Sequence, residues 1–164
     1  MIILAMFLAI NCVISAFYIN VGANLKIYFT FIITMIIAAY YPFGIVCIYA
    51  IIEDIISFFL FPSGGFFFGY TLTALLSMII YWLFLHKKVN LLTISLSKLT
   101  VNLLANVLLN SVWTYIILNK QKAYLVYAYS SLIKNITMLP IEILIFFSLY
   151  TLLKPVLDKY LKQQ

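Results

Sequence analysis

The sequence predicts an all-α membrane protein with six transmembrane helices in an S-component-like bundle, and two observations lead to this prediction. The 164 residues are 66% hydrophobic and only 9% charged, whereas soluble domains average roughly 25% charged residues. A chain of this size cannot bury so much apolar surface in water, so the solvent around it must be lipid. The apolar residues also form runs close to the roughly 20 residues that a spanning helix needs.

Short polar breaks and Pro/Gly turns divide the chain into six predicted helices, which form a single integral membrane domain over residues 1–164. The segment 20–26 ends the first run, the Pro-Phe-Gly turn at 42–44 ends the second, and the Pro-Ser-Gly-Gly turn at 62–65 ends the third. Proline stops an arriving helix, and glycine permits the tight turn that follows. The predicted helices are residues 2–18, 27–41, 45–61, 66–85, 92–118 and 124–153.

The distribution of lysine predicts the orientation of the chain in the membrane. All ten basic residues are lysines, and they lie mostly in the breaks between apolar runs. With the N-terminus in the cytoplasm, the inner segments hold six lysines and the outer segments three, which agrees with the excess of basic residues in cytoplasmic loops. Both termini are therefore expected in the cytoplasm, and the loops near residues 20–26, 61–70 and 119–122 outside.

Residues 61–71 read Phe-Pro-Ser-Gly-Gly-Phe-Phe-Phe-Gly-Tyr-Thr. A tight turn at a membrane surface needs the proline and the glycines, but it does not need Phe66, Phe67, Phe68 and Tyr70. The excess of aromatic rings is typical of the wall of a binding pocket. The alternative is an aromatic belt at the interface between membrane and water.

The fifth apolar run contains a regular polar stripe. Lys98, Asn102, Asn106 and Asn110 recur every four residues, and Trp113 follows three residues later. This spacing puts them on one helix face. Since lipid disfavours such a face, it should point into the bundle. The stripe could simply join helices, but its outward end lies near the level of the aromatic turn, which favours a role in ligand binding there.

Three further groups of charges lie inside apolar runs. Glu53 and Asp54 interrupt the third run, and a carboxylate at membrane depth needs a partner or a watery cavity. A structural or ligand-site role is favoured over a proton relay. Lys134 and Glu142 lie about 12 Å apart along the sixth helix, so they are not expected to pair with each other. Lys134 could snorkel to the surface or meet an anion.

The sequence gives no sign of catalysis. It contains no Gly-rich phosphate loop, no HExxH and no Cys/His cluster. Cys12 and Cys47 are isolated within apolar runs, which suits packing. We therefore expect that the chain is not an enzyme and that it holds no metal or cofactor.

Five segments together resemble the substrate-binding (S) components of energy-coupling factor (ECF) vitamin transporters, and most closely the folate type. The first helix has the family's alanine pair, Ala5 and Ala9. Residues 25–32 are similar to its entry to helix two, and residues 61–74 resemble "FPxGxFFxGFTLTA". Residues 109–113 are similar to "LNTxW", and residues 133–135 and 140–142 resemble its sixth helix.

The resemblance implies a high-affinity substrate-binding subunit of an ECF-type ABC vitamin importer, for folate or a related pterin, in the multi-pass form found in prokaryotic cell membranes. Its partners would be the transmembrane coupling subunit (EcfT) and two ATP-binding subunits (EcfA type), which would hydrolyse the ATP. Ala5 and Ala9 would contact the coupling subunit. The expected substrate-binding residues are Lys26, Phe29, Phe61, Ser63, Gly64, Gly65, Phe67, Tyr70, Asn110, Trp113 and Lys134.

The chain departs from the family at two places where an arginine is common. Ala16 ends the first helix, and Ser130-Ser131 precede the Lys-Asn pair of the sixth. The cations left for a ligand carboxylate are Lys26 and Lys134. An S component for another vitamin or a nucleobase-like precursor is therefore an alternative, and a non-transport six-helix scaffold of the MreD kind is another.

Overall fold

The computed structural model describes residues 2–20, 26–61, 66–118 and 123–161. Seven α-helices and two short strands are found in these ranges. A π-helical segment, Asn102–Leu109, joins two of the helices without a break, so that Leu91–Ile117 is one continuous helix. The elements are α1 (Ile2–Ala16), β1 (Tyr18–Asn20), β2 (Lys26–Tyr28), α2 (Phe31–Tyr40), α3 (Phe43–Leu60), α4 (Phe68–Leu85), α5 (Leu91–Val101), α6 (Asn110–Ile117) and α7 (Tyr124–Leu161).

Four helices in the described part of the chain are long and apolar enough to cross a membrane. They are α3, α4, the continuous helix Leu91–Ile117, and α7. The helices α1 and α2 are also apolar, but they have only 15 and 10 residues. The protein is therefore a helical, multi-pass membrane protein, as the composition predicts.

A small hairpin changes the predicted start of the second helix. Strands β1 and β2 pair antiparallel, with Tyr18 opposite Tyr28, and the two rings are 5.6 Å apart. Residues 26–28 are therefore extended, and α2 begins at Phe31 rather than at residue 27. The prediction of a purely α-helical chain was wrong at this point, because an apolar run of β-branched and aromatic residues suits a strand as well as a helix.

The last helix is longer than predicted. It continues to Leu161 rather than ending near residue 153, with Pro155 inside it. Leu157 and Leu161 are buried, and the Tyr40 hydroxyl donates to Asp158 Oδ1 at 2.8 Å. These contacts explain why the final turns stay on the bundle although their lysines suggest a solvated tail.

The core lies around α4, which packs against α2, α3 and α5. Its most deeply buried side chains are aliphatic or sulfur-containing, with one aromatic ring from α7. They include Met35, Ile36, Ile37, Val46, Met78, Leu85, Ile94 and Phe146. Because α4 is central, its N-terminal turn brings Phe67 and Tyr70 against α6.

The π-helical segment has its own support from α7. In a π-helix the hydrogen bonds run from i to i+5, and short π segments are frequent at functional sites. Ser131 on α7 donates its hydroxyl to the backbone carbonyl of Asn106 at 2.9 Å. The segment begins at Asn102 and the next α-helix begins at Asn110, so it contains Asn102 and Asn106, the middle of the predicted polar stripe.

Candidate functional site

An aromatic wall forms where the start of α4 meets α6. We define it as Phe67, Tyr70 and Trp113. The ring centroids of Phe67 and Trp113 are 5.6 Å apart, and those of Phe67 and Tyr70 are 6.0 Å apart. Both distances lie in the range of favourable ring pairs. The sequence-predicted association of the aromatic turn with Trp113 is therefore present in the fold.

Gly69 allows these rings to come so close. A Cβ atom at this position would collide with the Phe67 ring and would lie 2.7 Å from Trp113 Cδ2. Gly69 is buried in the first turn of α4. The absence of a side chain there is thus a condition for the wall.

Thr73 fixes the indole of Trp113. The Trp113 Nε1–H donates to Thr73 Oγ1 at 2.9 Å, and the Thr73 hydroxyl donates to the Gly69 carbonyl at 3.1 Å. These two hydrogen bonds satisfy the polar edge of the indole inside the protein. What Trp113 offers to a ligand is therefore the face of its ring.

The predicted polar stripe is a chain of hydrogen-bonded amides, which we call the asparagine ladder (Asn102, Asn106 and Asn110). Asn106 Nδ2 donates to Asn102 Oδ1 at 2.9 Å, and Asn110 Nδ2 donates to Asn106 Oδ1 at 3.4 Å. Among the described residues, Asn110 Oδ1 is buried and has no hydrogen-bond partner. Because Asn110 lies one turn before Trp113 on the same helix, the ladder ends beside the aromatic wall.

The Asn102 end of the ladder is anchored by a buried ion pair. Asn102 Nδ2 donates to Glu142 Oε2 at 3.3 Å and lies 3.4 Å from the Asn135 carbonyl. Lys98 Nζ lies 3.2 Å from the same Glu142 oxygen and 3.8 Å from the centre of the Phe31 ring. The Lys98 side chain is 4% exposed and that of Glu142 is 11% exposed. Glu142 thus finds a cation on α5.

The two adjacent carboxylates of α3 have different partners. Thr71 of α4 donates its hydroxyl to Asp54 Oδ2 at 2.6 Å, so Asp54 ties α3 to the helix that carries the wall. Ser57 donates to Glu53 Oε1 at 3.1 Å and lies 3.4 Å from Cys12 Sγ. Asp54 is therefore the carboxylate closer to the site, and Glu53 belongs to the contact between α1 and α3.

The remaining predicted binding residues are placed less closely together. Phe29 lines a cleft of about 510 Å³ together with residues 16–19. Phe61 is 43% exposed at the end of α3. Lys134 lies on α7 between Ser131 and Asn135, two of the residues that contact the ladder. The predictions for Ser63, Gly64, Gly65 and the side chain of Lys26 lie outside the described residues.

The predicted partner-contact residues lie on an open face of α1. Ala5 and Ala9 are both exposed, whereas Asn11 and Cys12 are buried against the bundle. Ile2 and Met6 are also largely exposed beside them. This face is a surface of small and apolar side chains.

Sequence reasoning missed Gly69 and Thr73 as determinants of the wall, and it missed Thr71 as the partner of Asp54. A usable signal was present, because the Gly-Tyr-Thr-Leu-Thr segment puts two hydroxyls in the first turns of an apolar helix. Such hydroxyls often bond between helices in lipid.

The described residues contain no group of three or more His, Cys, Asp or Glu side chains that could hold a metal ion. The groups that the site offers are ring faces, one amide oxygen and nearby hydroxyls. These groups suit a flat ligand with hydrogen-bonding edges.

Fold and aromatic wall together define a multi-pass helical membrane protein with a candidate small-molecule site. No family model matches the chain. Over 149 residues it is 35% identical to the folate transporter FolT of Leuconostoc mesenteroides, covering 87% of this chain and 79% of that one. It is 30% identical over 96 residues to the folate transporter FolT of Clostridium novyi, covering 58% and 55%.

A solved structure described as FolT bound with folic acid has the same fold. The TM-score is 0.77 at 29% sequence identity, over 87% of this chain and 85% of that chain. The chain belongs to the folate transporter family, the folate-type S components of ECF transporters. The resemblance seen in the sequence is thereby confirmed.

Proposed function

We propose that this protein is the high-affinity substrate-binding subunit of an ECF-type importer and that its substrate is folate or a related pterin. The observation that carries the proposal is the aromatic wall with the free Asn110 oxygen beside it, in a chain of the folate transporter family. Family membership also argues against the scaffold alternative, since the relatives are transporters.

The chemistry of the site suits a pterin ring. A flat heteroaromatic ring gains from contact with Phe67, Tyr70 or Trp113, and such ring pairs contribute about 0.5–1.5 kcal/mol beyond burial. Asn110 can accept a hydrogen bond from a ring N–H. Lys134 and Lys26 are the cations that the sequence offers to the carboxylates of the tail.

Binding of radiolabelled folic acid to the purified protein tests the substrate. We expect saturable binding that Trp113→Ala weakens at least tenfold, since a large part of the wall is then lost. Leu144→Ala, at an exposed position of α7, is the matched control and should bind as the wild type does. If folic acid does not bind while another vitamin binds tightly, the substrate assignment is wrong.

The proposed partners are the coupling subunit (EcfT) and two ATP-binding subunits (EcfA type) in a bacterial cell membrane. The exposed alanine face of α1 supports this, because small residues let another helix approach closely in lipid. Replacing Ala5 and Ala9 by leucine should abolish uptake and recovery of the coupling subunit but leave folic acid binding intact. Leu144→Trp is the control for added bulk on a lipid-facing helix. Loss of binding with normal complex assembly would contradict this assignment.

A different vitamin remains a second candidate because the positively charged groups are few. Ser131 donates to a backbone carbonyl, and Ala16 carries no charge.

If the tail carboxylates bind Lys134, folic acid should bind more tightly than pteroic acid, which lacks the glutamate, and Lys134→Met should remove the difference. Equal affinities in the wild type would mean that the tail is not recognised.

A further inference from the structure

The hydrogen bonds of the asparagine ladder all run in one direction, and this direction is fixed at its Asn102 end. Asn102 Nδ2 faces Glu142 Oε2 and the backbone carbonyl of Asn135. An ionised carboxylate and a backbone carbonyl can only accept hydrogen bonds. The Asn102 amide must therefore turn its nitrogen toward them and its oxygen away.

The same orientation is passed along the ladder. The Asn102 oxygen requires a donor, so Asn106 presents Nδ2 to it and keeps its own oxygen for the next residue. Asn110 then presents Nδ2 to Asn106 Oδ1. Of the three side-chain oxygens of the ladder, only Asn110 Oδ1 is left without a donor; it is buried and has no partner among the described residues.

From this chain of contacts we infer that Asn110 is a specificity-determining residue, whose oxygen requires an N–H donor on the ligand ring, and that Asn106 is the positioning residue that holds it in this orientation. The inference rests on the proposed function, since it assigns the pterin edge that the site reads. A ligand that presents only an acceptor to Asn110 leaves two acceptors facing each other in a buried site, and it is rejected.

Lipid surroundings make this arrangement specific. Asn110 could present its nitrogen only by rotating its amide, which would place two oxygens against each other at Asn106. In water such a rotation would be compensated by solvent, but in a buried site it leaves groups unsatisfied. The Lys98–Glu142 pair, about 18 Å from Asn110 along the helix, thus favours an acceptor at the ligand site.

The experiment compares three ligands that differ in donors but not in bulk. Folic acid carries a 2-amino group and a ring N3–H. The 2-desamino analogue lacks the first, and the 4-amino analogue has an acceptor nitrogen in place of the second. In the wild type, at least one analogue should bind about ten- to a hundredfold more weakly than folic acid, the usual effect of an unsatisfied buried group.

Four variants assign this discrimination to the ladder. Asn110→Leu and Asn110→Ala should both reduce the ratio of affinities to less than about threefold. Asn106→Leu should reduce it too, although the residue is a positioning one. Asn106→Asp, which in its protonated form donates to Asn102 and accepts from Asn110, should retain most of it. A residue that only stabilised the fold would weaken all three ligands equally.

Two outcomes overturn the inference while the proposed function stands. In the first, the wild type binds folic acid but does not discriminate against either analogue. In the second, it discriminates, and both Asn110 variants keep the same ratio. If the wild type does not bind folic acid at all, the proposed function fails and this inference fails with it.

Discussion

Two physical arguments give opposite expectations for the replacement of Gly69 by alanine, so the sign of the measured effect decides between them. Gly69 lies in the first turn of α4. Alanine is a better helix former than glycine by about 1 kcal/mol, which predicts a small gain in stability. The structure predicts a loss, because the new Cβ would collide with the Phe67 ring and lie 2.7 Å from Trp113 Cδ2.

The size of the expected effect depends on which side chain must move to make room for the new Cβ. Overpacking costs typically about 1–3 kcal/mol, and the ring pair that would be disturbed is worth about 0.5–1.5 kcal/mol. Phe67 can rotate away, since it lies at the edge of the bundle, but the aromatic wall is then lost. We therefore expect a penalty of about 1–3 kcal/mol in ligand binding, which is roughly a 5- to 150-fold loss of affinity, with a smaller change in unfolding temperature.

The assay is equilibrium binding of folic acid in detergent, with thermal unfolding measured on the same samples. Gly44→Ala is the matched control, because a Cβ there has no atom within 4 Å and lies in the first turn of α3. That variant should bind like the wild type and be equally or slightly more stable. If Gly69→Ala binds folic acid as tightly as Gly44→Ala does, the close-contact explanation of the wall is wrong.

Three further changes test other contacts. Thr73→Val should weaken folic acid binding and alter the Trp113 fluorescence, since it leaves the indole N–H unsatisfied, which costs about 1–3 kcal/mol. Thr73→Ser should keep both properties as in the wild type. Unchanged fluorescence in the valine variant would contradict the contact. Lys98→Met should lower the free energy of unfolding by about 3–5 kcal/mol because Glu142 is left unpaired, and adding Glu142→Leu should recover most of it; a double variant no more stable than the single one would refute this. Tyr40→Phe should reduce stability by about 1–2 kcal/mol through loss of the bond to Asp158 without changing affinity, and a large fall in affinity would show that this end of the bundle is coupled to the site.

The sequence was sufficient for those features that depend on composition and periodicity. The apolar runs predicted the helices because lipid requires every backbone group to be bonded within a helix. The four-residue spacing from Lys98 to Asn110 predicted one buried face, and the hydrogen bonds between successive asparagines agree with it. These properties belong to a single helix and can be read without knowing its neighbours.

Features that depend on contacts between helices could not be predicted in this way. Gly69 resembles any glycine after a turn until Trp113 is placed 2.7 Å from its missing Cβ. The pairing of residues 26–28 with residues 18–20 is equally invisible, because their apolar pattern suits a helix or a strand. The direction of the ladder also depends on a second helix, since α7 supplies Glu142 and the Asn135 carbonyl.

The polar groups of this bundle explain why one helix can serve both stability and recognition. A lone buried carboxylate or amide is costly in lipid, so Glu142 needs Lys98, and Asn102 needs Glu142. Each amide donates to the oxygen of the one before it, so the unsatisfied acceptor is the side-chain oxygen at the far end of the ladder, Asn110 Oδ1. A ligand N–H that removes this deficit would gain more than a surface hydrogen bond provides, because the alternative is an unpaired buried atom. Affinity for the ligand and stability of the helix contact would then arise from the same series of hydrogen bonds.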